Sequence, residues 1–264
     1  MKEFKTIAIG TLKGGVGKTT AVVNIGATLA EMNKKVLIID ADPQANTTNY
    51  LGLDEIADNY KSIKDIFDDK YIEPSIVINK TGIENLDVIG STIYLTATER
   101  KFATISFAEQ QLKKYINRNI DFFNKYDYLI IDTNPSMSKT NQNVFVASDK
   151  IICISDVGIG AHKGIELFDY LLSELAEESE LTLQIDGLLL NKFNKTNNLS
   201  KEYLEYLQDD TLTKDILLEN TIRNSIRLAE AELAQTPITK FKMGKESATQ
   251  FKAVVNELIE KGVL

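Results

Sequence analysis

The sequence predicts an α/β fold, namely a doubly wound, mainly parallel sheet with helices on both faces. Short, near-continuous apolar runs alternate along the chain with longer segments that place apolar residues at helical spacing. A glycine-rich segment, residues 13–20, separates the first apolar run from the first helical segment. The chain has 264 residues, of which 43% are hydrophobic. Because that is enough to bury one large core, we expect a single α/β domain.

The first predicted unit is a strand, a loop and a helix. Residues 6–10 (TIAIG) form an apolar run suited to a buried parallel strand, and residues 19–32 follow helical spacing. The end of the phosphate-loop pattern G-x-x-x-x-G-K-[ST] is matched between them by Gly15, Gly17, Lys18 and Thr19. A strand, a glycine loop and a helix in this order are the context that the motif requires.

The loop departs from the ordinary pattern at its start. Leu12 occupies the position of the first glycine, and an additional lysine, Lys13, follows it. Glycines let backbone N–H groups approach a polyphosphate, Lys18 supplies a positive charge for its β- and γ-phosphates, and the Thr19 hydroxyl is placed to bind Mg²⁺. The positive dipole end of the following helix faces the same anion. The loop therefore predicts a nucleoside triphosphate site with Mg²⁺.

Two later apolar runs end in aspartate. The run 35–40 ends at Asp40, with Asp42 close behind, and the run 128–132 ends at Asp132. Ligands of doubly wound sheets bind beyond the carboxyl ends of the strands, where a carboxylate can support Mg²⁺ or orient an attacking water. The alternative is that these aspartates only cap the helices that follow. Two of them beside a phosphate loop favour the functional interpretation.

The rest of the chain continues the alternation. Three further apolar runs predict strands: residues 86–89, 150–155 and 181–191. A polar, acidic stretch covers residues 53–73. The segment 104–123 predicts one helix, whose apolar face is expected to consist of Phe107, Leu112, Tyr115 and Ile116. The last residues, 246–264, predict an amphipathic helix docked on the core.

Composition excludes several classes of protein. The formal net charge of −8 argues against DNA binding by bulk charge, so any contact with nucleic acid needs a local basic patch. One cysteine, Cys153, excludes an internal disulfide and four-cysteine zinc or iron–sulfur sites within one chain, and its apolar run predicts a buried, inert thiol. The sequence shows neither a signal peptide nor an apolar run long enough to span a bilayer, so we expect a cytoplasmic protein.

The motifs together resemble those of the deviant Walker-A ATPases of the ParA/MinD superfamily. The resemblance rests on the loop with Lys13 and on residues 40–44 (DADPQ) and 132–135 (DTNP). Similarity to the ParA/Soj-type DNA partition ATPases extends over nearly the whole chain and includes residues 222–231 (IRNSIRLAEA). It implies one P-loop ATPase domain over residues 1–264, without an N-terminal helix-turn-helix domain.

The resemblance also implies roles for individual residues. Catalysis would depend on Lys13 reaching across a dimer to the partner's ATP, on Lys18, and on Asp42 positioning the attacking water. The expected nucleotide contacts are Lys13, Gly14, Gly15, Val16, Gly17, Lys18, Thr19, Thr20, Asn191 and Pro237. The expected Mg²⁺ site consists of Thr19, Asp40 and Asp132. Asp40 has the alternative role of supporting the loop, and Asn191, which would read the adenine edge, has the alternative role of ending a strand.

Relatives of this type hold DNA phosphates with basic residues of the C-terminal region, without reading sequence. The corresponding residues here are Arg223, Arg227, Lys240, Lys242 and Lys245. The alternative is an ordinary solvated surface with scattered lysines. The resemblance further implies an ATP-dependent homodimer, non-specific binding of double-stranded DNA, a centromere-binding partner of ParB type, and a cytoplasmic, nucleoid-associated location.

Two other functions within the superfamily are alternatives. A MinD-like membrane switch needs a C-terminal amphipathic helix rich in lysine, whereas residues 246–264 mix acidic and basic side chains. An amidoligase or a metallocluster carrier needs a substrate-binding domain or cysteine ligands, for which the chain has no room. The segment 156–162 departs from the family pattern, and its His162, the single histidine, is expected to be a loop residue without a special role. The polar loop 193–201 indicates no particular function.

Overall fold

The structure, a computed structural model, describes residues 1–54, 57, 59–102, 104–158 and 160–264. Parts of the predicted acidic stretch 53–73 and of the segment 156–162 lie outside the described residues. Seven strands within these residues form one sheet. The strands are β1 (Lys5–Gly10), β2 (Val36–Asp40), β3 (Asn79–Lys80), β4 (Leu86–Ile89), β5 (Tyr128–Asp132), β6 (Lys150–Asp156) and β7 (Gly187–Asn191).

The sheet has the order β3-β4-β2-β5-β1-β6-β7. All neighbouring strands pair in parallel except β3, which pairs antiparallel with β4 at the edge. The register places Asp40 of β2 beside Asp132 of β5, and Asp156 of β6 beside Asn191 of β7. The carboxyl ends of these strands therefore meet at one edge of the sheet, as the prediction requires.

Helices connect the strands and cover both faces. They are α1 (Lys18–Glu31), α2 (Asn46–Tyr50), α3 (Ile63–Asp68), α4 (Pro74–Val77), α5 (Thr96–Phe102), α6 (Gln111–Arg118), α7 (Ile120–Phe123), α8 (Lys139–Ala147), α9 (Ala161–Ser179), α10 (Asn198–Asp209), α11 (Ile226–Leu233) and α12 (Lys245–Glu260). Two short 3₁₀ turns cover Ile93–Leu95 and Ala108–Gln110. The predicted fold class is confirmed.

Two apolar cores lie on opposite faces of the sheet. Successive residues of β2 alternate between them, because Leu37 and Ile39 pack in one core and Ile38 in the other. One core contains residues of α3, α6, α8 and α9, and the other contains residues of α1, α11 and α12. Burial of both strand faces explains the near-continuous apolar runs from which the strands were predicted.

The C-terminal helix packs on the core as predicted. In α12, the apolar side chains of Phe251, Val254, Val255 and Leu258 are fully buried, and the helix contacts α1. The prediction for Cys153 is also confirmed, since the thiol is buried in β6 and burial raises its pKa to about 12. A thiol that stays protonated is a poor nucleophile.

The helix predicted over 104–123 is wrong in part. Leu112, Tyr115 and Ile116 are buried as expected, but the segment is divided into a 3₁₀ turn, α6 and α7. Phe107 precedes the turn with a φ of 55° and is 66% exposed, so it does not belong to the apolar face. Asn119 follows the last residue of α6, and both its backbone N–H and its side-chain amide donate to the Tyr115 carbonyl oxygen. Asn side chains that bond the preceding turn in this way often mark a helix interruption.

The strand predicted over 181–191 is shorter than expected. It begins at Gly187, and the six residues before it are outside the sheet. The reason lies at Asp186, whose carboxylate accepts hydrogen bonds from the Ile151 backbone N–H at 2.9 Å and from the Lys150 ammonium at 2.7 Å. The Ile151 N–H therefore bonds a side chain, and is not available for backbone pairing with the residues before Gly187.

Candidate functional site

A cleft of about 550 Å³ opens at the carboxyl edge of the sheet. It is bordered by the glycine loop between β1 and α1, by the residues after β2, by the end of β7, and by α11. Of the predicted nucleotide contacts, those that line it are Gly14, Gly15, Gly17, Lys18, Thr19, Thr20 and Asn191. A cleft of this volume is within the range of small-molecule sites.

The glycine loop has the backbone geometry that its sequence predicts. Gly15 and Gly17 have φ values of 74° and 92°, in the left-handed region that favours glycine. Gly17 precedes the first turn of α1, and no side chain of the described residues caps that turn. The free backbone N–H groups at the start of the 14-residue helix are available to an anion.

Lys18 projects from this turn into the site and is 8% exposed. Burial lowers the pKa of its ammonium below the ordinary value, and the charges of Asp132 and Asp42 oppose that shift. A buried ammonium with two carboxylates nearby is stabilised further by any anion that enters the cleft. The geometry therefore agrees with a phosphate-binding role for Lys18.

Asp132 ends β5 and is fully buried. One carboxylate oxygen, Oδ2, accepts hydrogen bonds from the Thr19 hydroxyl at 2.8 Å and the Thr47 hydroxyl at 2.7 Å. The other, Oδ1, is buried without a hydrogen-bond partner among the described residues. Burial is the main reason that the pKa of this carboxyl is raised to about 6, while the hydrogen bond from Thr47 opposes the shift.

Asp40 ends the neighbouring strand β2 and is also fully buried. Oδ1 accepts from the Asp42 backbone N–H at 3.1 Å, and Oδ2 accepts from the Thr48 N–H at 2.9 Å and the Thr48 hydroxyl at 2.7 Å. Burial and, second, the charge of Asp132 raise the pKa of Asp40 to about 8. These contacts hold α2 against the strand end and favour the supporting role over a metal-binding one.

The residues around Asp132 fit a magnesium ion. The Thr19 hydroxyl and the unpartnered Oδ1 atom of Asp132 supply hard oxygen donors within one part of the site. The described residues contain no group of three or more His, Cys, Asp or Glu side chains that could hold a metal. Because Mg²⁺ keeps several waters and uses phosphate oxygens, a site with few protein ligands suits it.

Asp42 follows β2 and lines the cleft. It is 7% exposed, and its Oδ1 accepts a hydrogen bond from the Gln44 backbone N–H at 2.9 Å. Gln44 lines the cleft beside it. The structure therefore brings Asp42, Lys18 and Asp132 together in one site, as the sequence predicts.

The structure places Lys13 differently from the rest of the loop. Its ammonium forms an ion pair with Asp156 at 2.7 Å, at the end of β6, and Lys13 is not among the described residues that line the cleft. The pair is partly exposed, with side-chain exposures of 33% for Lys13 and 19% for Asp156. Within one chain, Lys13 therefore contacts a neighbouring strand end and not the cleft.

Asn191 contacts the glycine loop directly. Its Nδ2 donates to the Val16 carbonyl oxygen at 2.7 Å, and its Oδ1 accepts from the Lys192 backbone N–H at 2.9 Å. Pro237 is buried and is not among the described residues that line the cleft. The next residue, Ile238, donates its N–H to the Asn24 side chain at 2.7 Å, which ties this loop to α1.

Ion pairs engage three of the five predicted DNA-binding residues. Arg223 lines the cleft and pairs with Glu246, Arg227 pairs with Glu230, and Lys240 pairs with Glu31. A second groove, of about 460 Å³, lies between α1 and the start of α12. The lysines that border this groove are Lys240, Lys242, Lys245 and Lys252. Arg223 therefore borders a different opening from Lys242 and Lys245, although its partner Glu246 directly follows Lys245 in α12, and Lys252 is an additional lysine of the groove.

Sequence reasoning missed two kinds of contact at the site. Lys192 lines the cleft, and its ammonium donates to the Gly15 carbonyl oxygen at 2.6 Å. Thr47 and Thr48 of α2 hold the two buried aspartates. A lysine directly after Asn191 and two threonines three and four residues after the DADPQ segment were the available signals, but neither matches a phosphate-loop pattern.

His162 lies outside the cleft. The expectation of a loop residue is wrong, because His162 is the second residue of α9. Its ring nitrogens lie 3.3 and 3.4 Å from the Tyr206 hydroxyl of α10, and Nε2 lies 3.5 Å from Asp210. In the loop 193–201, the Asn197 side chain accepts from the Leu199 N–H at 3.0 Å and caps the start of α10. These contacts support local packing between the two helices.

Known proteins similar in sequence to this chain include proteins of the ParA type. The AAA domain family matches residues 4–185, more than half of the chain. The sporulation initiation inhibitor protein Soj of Bacillus subtilis is 32% identical over 258 residues, covering 98% of this chain and 99% of Soj. A virulence plasmid ParA family protein of Chlamydia psittaci is 29% identical, covering 98% of this chain and 95% of that protein.

A solved structure adds to these sequence relatives. A crystal structure of a Borrelia burgdorferi protein bound to AMPPNP has a TM-score of 0.79 and 27% identity, and covers 98% of this chain and 99% of that one. No described helix is both long and apolar enough to cross a membrane. The deviant phosphate loop, the paired aspartates and the full-length similarity agree, and the chain belongs to the AAA domain family, as a P-loop ATPase of the ParA/Soj type.

Proposed function

We propose that this protein is a partition ATPase that binds ATP with Mg²⁺, dimerises around the nucleotide, binds DNA non-specifically as the dimer, and is released by slow hydrolysis. The observation that carries the proposal is the cleft in which the uncapped turn of α1, the buried Lys18 and the Thr19–Asp132 pair converge. The Borrelia burgdorferi neighbour holds AMPPNP, an ATP analogue, in the same fold.

Each residue of the cleft has a role in this proposal. Lys18 and the loop N–H groups bind the phosphates, and Thr19 and Asp132 hold Mg²⁺, which supplies charge neutralisation between the phosphates. Asp42 orients the attacking water, because a carboxylate near the phosphate end of the cleft can accept a hydrogen bond from that water. Asp40 positions the segment that carries Asp42, through its bonds to Asp42 and Thr48.

Dimerisation gives Lys13 its role. In the single chain its ammonium is occupied by Asp156 at the carboxyl edge of the sheet. We propose that docking of a second copy exchanges this partner for the other protomer's phosphates, so that an extra positive charge reaches each site only in the dimer. A partly exposed ion pair is worth about 1 kcal/mol or less, so the exchange is easily driven by phosphate. Hydrolysis then depends on dimerisation.

The basic groove beside α12 is the proposed DNA contact. Its lysines contrast with the formal net charge of −8 of the whole chain. The first turn of α12 adjoins the groove and has no side-chain cap, so its backbone N–H groups add to the attraction of a phosphate. Lysines that hold phosphates without contacting bases give binding that is independent of sequence and sensitive to salt. A dimer presents two grooves, which raises the affinity through avidity.

The similarity to Soj and to a plasmid ParA family protein supports the biological part of the proposal. A centromere-binding partner of ParB type stimulates hydrolysis, and the protein works in the cytoplasm on the nucleoid. One domain covers the ATPase and DNA-binding roles. The alternative of a membrane switch needs a free apolar helix face, whereas α12 buries Phe251, Val254 and Leu258 in the core.

Size-exclusion chromatography with light scattering tests the proposal, using Mg-ATP, Mg-ADP or no nucleotide, with and without random-sequence DNA. We expect a dimer with ATP only, and DNA co-eluting with the dimer. Lys242→Ala with Lys245→Ala should weaken DNA retention and leave dimerisation unchanged. Lys195→Ala with Lys201→Ala is the matched control, since it removes the same charge from two exposed lysines near α10.

Two outcomes would contradict the proposal. A protein that stays monomeric in saturating Mg-ATP, even when hydrolysis is blocked, has no nucleotide-dependent dimer. Wild-type DNA retention by the Lys242/Lys245 variant excludes the groove as the DNA contact. A liposome sedimentation assay in ATP provides the remaining control, because pelleting without DNA would favour the membrane alternative.

A further inference from the structure

The wall of the cleft formed by α11 carries an acidic side chain to which the proposed function gives no role. Ser225 at the start of α11 and, within the helix, Leu228, Ala229 and Glu232 line the cleft. Their spacing of three, four and seven residues places them on one helix face. Among the described residues that line the cleft, Asp42 and Glu232 are the two acidic ones. A carboxylate in a cleft built for phosphate needs an explanation.

Glu232 and Asp42 belong to different walls of the cleft, namely α11 and the residues after β2. Glu232 and Thr20, which lies in the first turn of α1, both line the cleft, and the Thr20 side chain acts to lower the pKa of the Glu232 carboxyl. The carboxylates whose charges act on Lys18 are those of Asp132 and Asp42. The phosphate end of the cleft is therefore at Lys18 and Asp42, and Glu232 borders the adjoining space between Thr20 and α11.

The chemistry of this position favours a neutral donor. A carboxylate accepts hydrogen bonds and repels phosphate. Glu232 is an exposed residue, but desolvation of its carboxyl in the cleft raises the pKa, and the Thr20 side chain opposes that shift. The part of a nucleotide next to its phosphates is the ribose, whose two hydroxyls are uncharged donors. Acidic residues bind ribose hydroxyls in this way in dinucleotide-binding α/β folds.

We propose that Glu232 is the ribose-binding residue of this cleft and accepts hydrogen bonds from the 2′- and 3′-hydroxyls of the bound nucleotide. The inference rests on the proposed nucleotide-binding function and adds specificity to it. The site then prefers ribonucleotides to deoxyribonucleotides. Loss of a hydrogen bond to a charged group weakens binding by about tenfold.

Isothermal titration calorimetry with Mg²⁺ tests the assignment, using ADP, 2′-deoxy-ADP and 3′-deoxy-ADP so that hydrolysis does not interfere. We expect wild type to bind ADP about tenfold more tightly than at least one of the deoxy analogues. Glu232→Ala should bind ADP as weakly as that analogue. Its affinity for the analogue itself should equal that of wild type, which shows that the rest of the cleft is intact.

Glu230→Ala is the matched control, because Glu230 lies on the same helix but pairs with Arg227 and is not among the described residues that line the cleft. It should keep the wild-type preference for ADP. Equal affinities of wild type for ADP and both analogues would overturn the inference, as would a preference that persists in Glu232→Ala. If wild type binds none of the three nucleotides, the proposed nucleotide-binding function fails together with the inference. Equal binding of all three would instead overturn only the role of Glu232.

Discussion

The contact between Gly17 and Asn191 gives a quantitative prediction about the glycine loop. A Cβ added at Gly17 would lie 2.3 Å from Nδ2 of Asn191, closer than any real contact allows. Gly17→Ala therefore has to displace the Asn191 side chain and break its bond to the Val16 carbonyl oxygen. Gly15 provides the matched control, because its φ of 74° is similar but nothing lies within 4 Å of its added Cβ.

The expected costs follow from these two geometries. A left-handed φ costs an alanine about 1 kcal/mol, which is the whole effect expected for Gly15→Ala. Gly17→Ala adds the lost hydrogen bond and the displacement of a buried amide, about 1–2 kcal/mol more, for a total of about 2–3 kcal/mol. For a chain of this length that corresponds to a fall in Tm of roughly 4–6 °C, against about 2 °C for Gly15→Ala.

Thermal and urea unfolding of the nucleotide-free protein measure both costs. In an Asn191→Ala background the steric conflict is absent, so Gly17→Ala should cost only about 1 kcal/mol, as Gly15→Ala does. Equal destabilisation by the two glycine substitutions in the wild-type background would refute the reasoning. A Gly17→Ala cost that Asn191→Ala does not reduce would refute it as well.

Three other predictions concern the charged groups of the cleft. Lys18→Ala should abolish ATP binding, because it removes the buried ammonium beside Asp132 and Asp42; unchanged affinity in a calorimetric titration would exclude the phosphate-binding role. Asp42→Ala should trap the ATP dimer on DNA by preventing hydrolysis, and a monomeric, DNA-free variant in ATP would contradict a role in positioning water. The folded-state pKa of Asp40, raised from 3.8 to about 8, means that the folded protein binds this proton more tightly than the unfolded chain. The free energy of unfolding of the nucleotide-free protein should therefore fall as the pH rises from about 4 to about 8, and Asp40→Asn should make this fall shallower. Urea unfolding at each pH measures it, and an equally steep fall in the variant would show that Asp40 is not its source.

The fold was largely predictable because its signals are local. Burial of both strand faces requires apolar runs such as those of β1 and β2, and the phosphate loop requires glycines at the positions with positive φ. The predictions failed where short-range side-chain bonds override periodicity. Asn119 divides the helix predicted over 104–123, and Asp186 shortens the strand predicted over 181–191. Neither effect is visible in hydrophobic spacing.

The sequence by itself determined the α/β architecture, the phosphate loop and the family, because each depends on residue types at fixed spacing along the chain. The tertiary structure alone decided which distant residues meet at the cleft. It paired Lys13 with Asp156, joined Asn191 to the loop, brought Lys252 to the groove that Lys242 and Lys245 border, and placed Glu232 and Thr20 in one cleft. The physical reason is that strand order and helix packing set these distances, and neither is recorded in the spacing of residues along one segment.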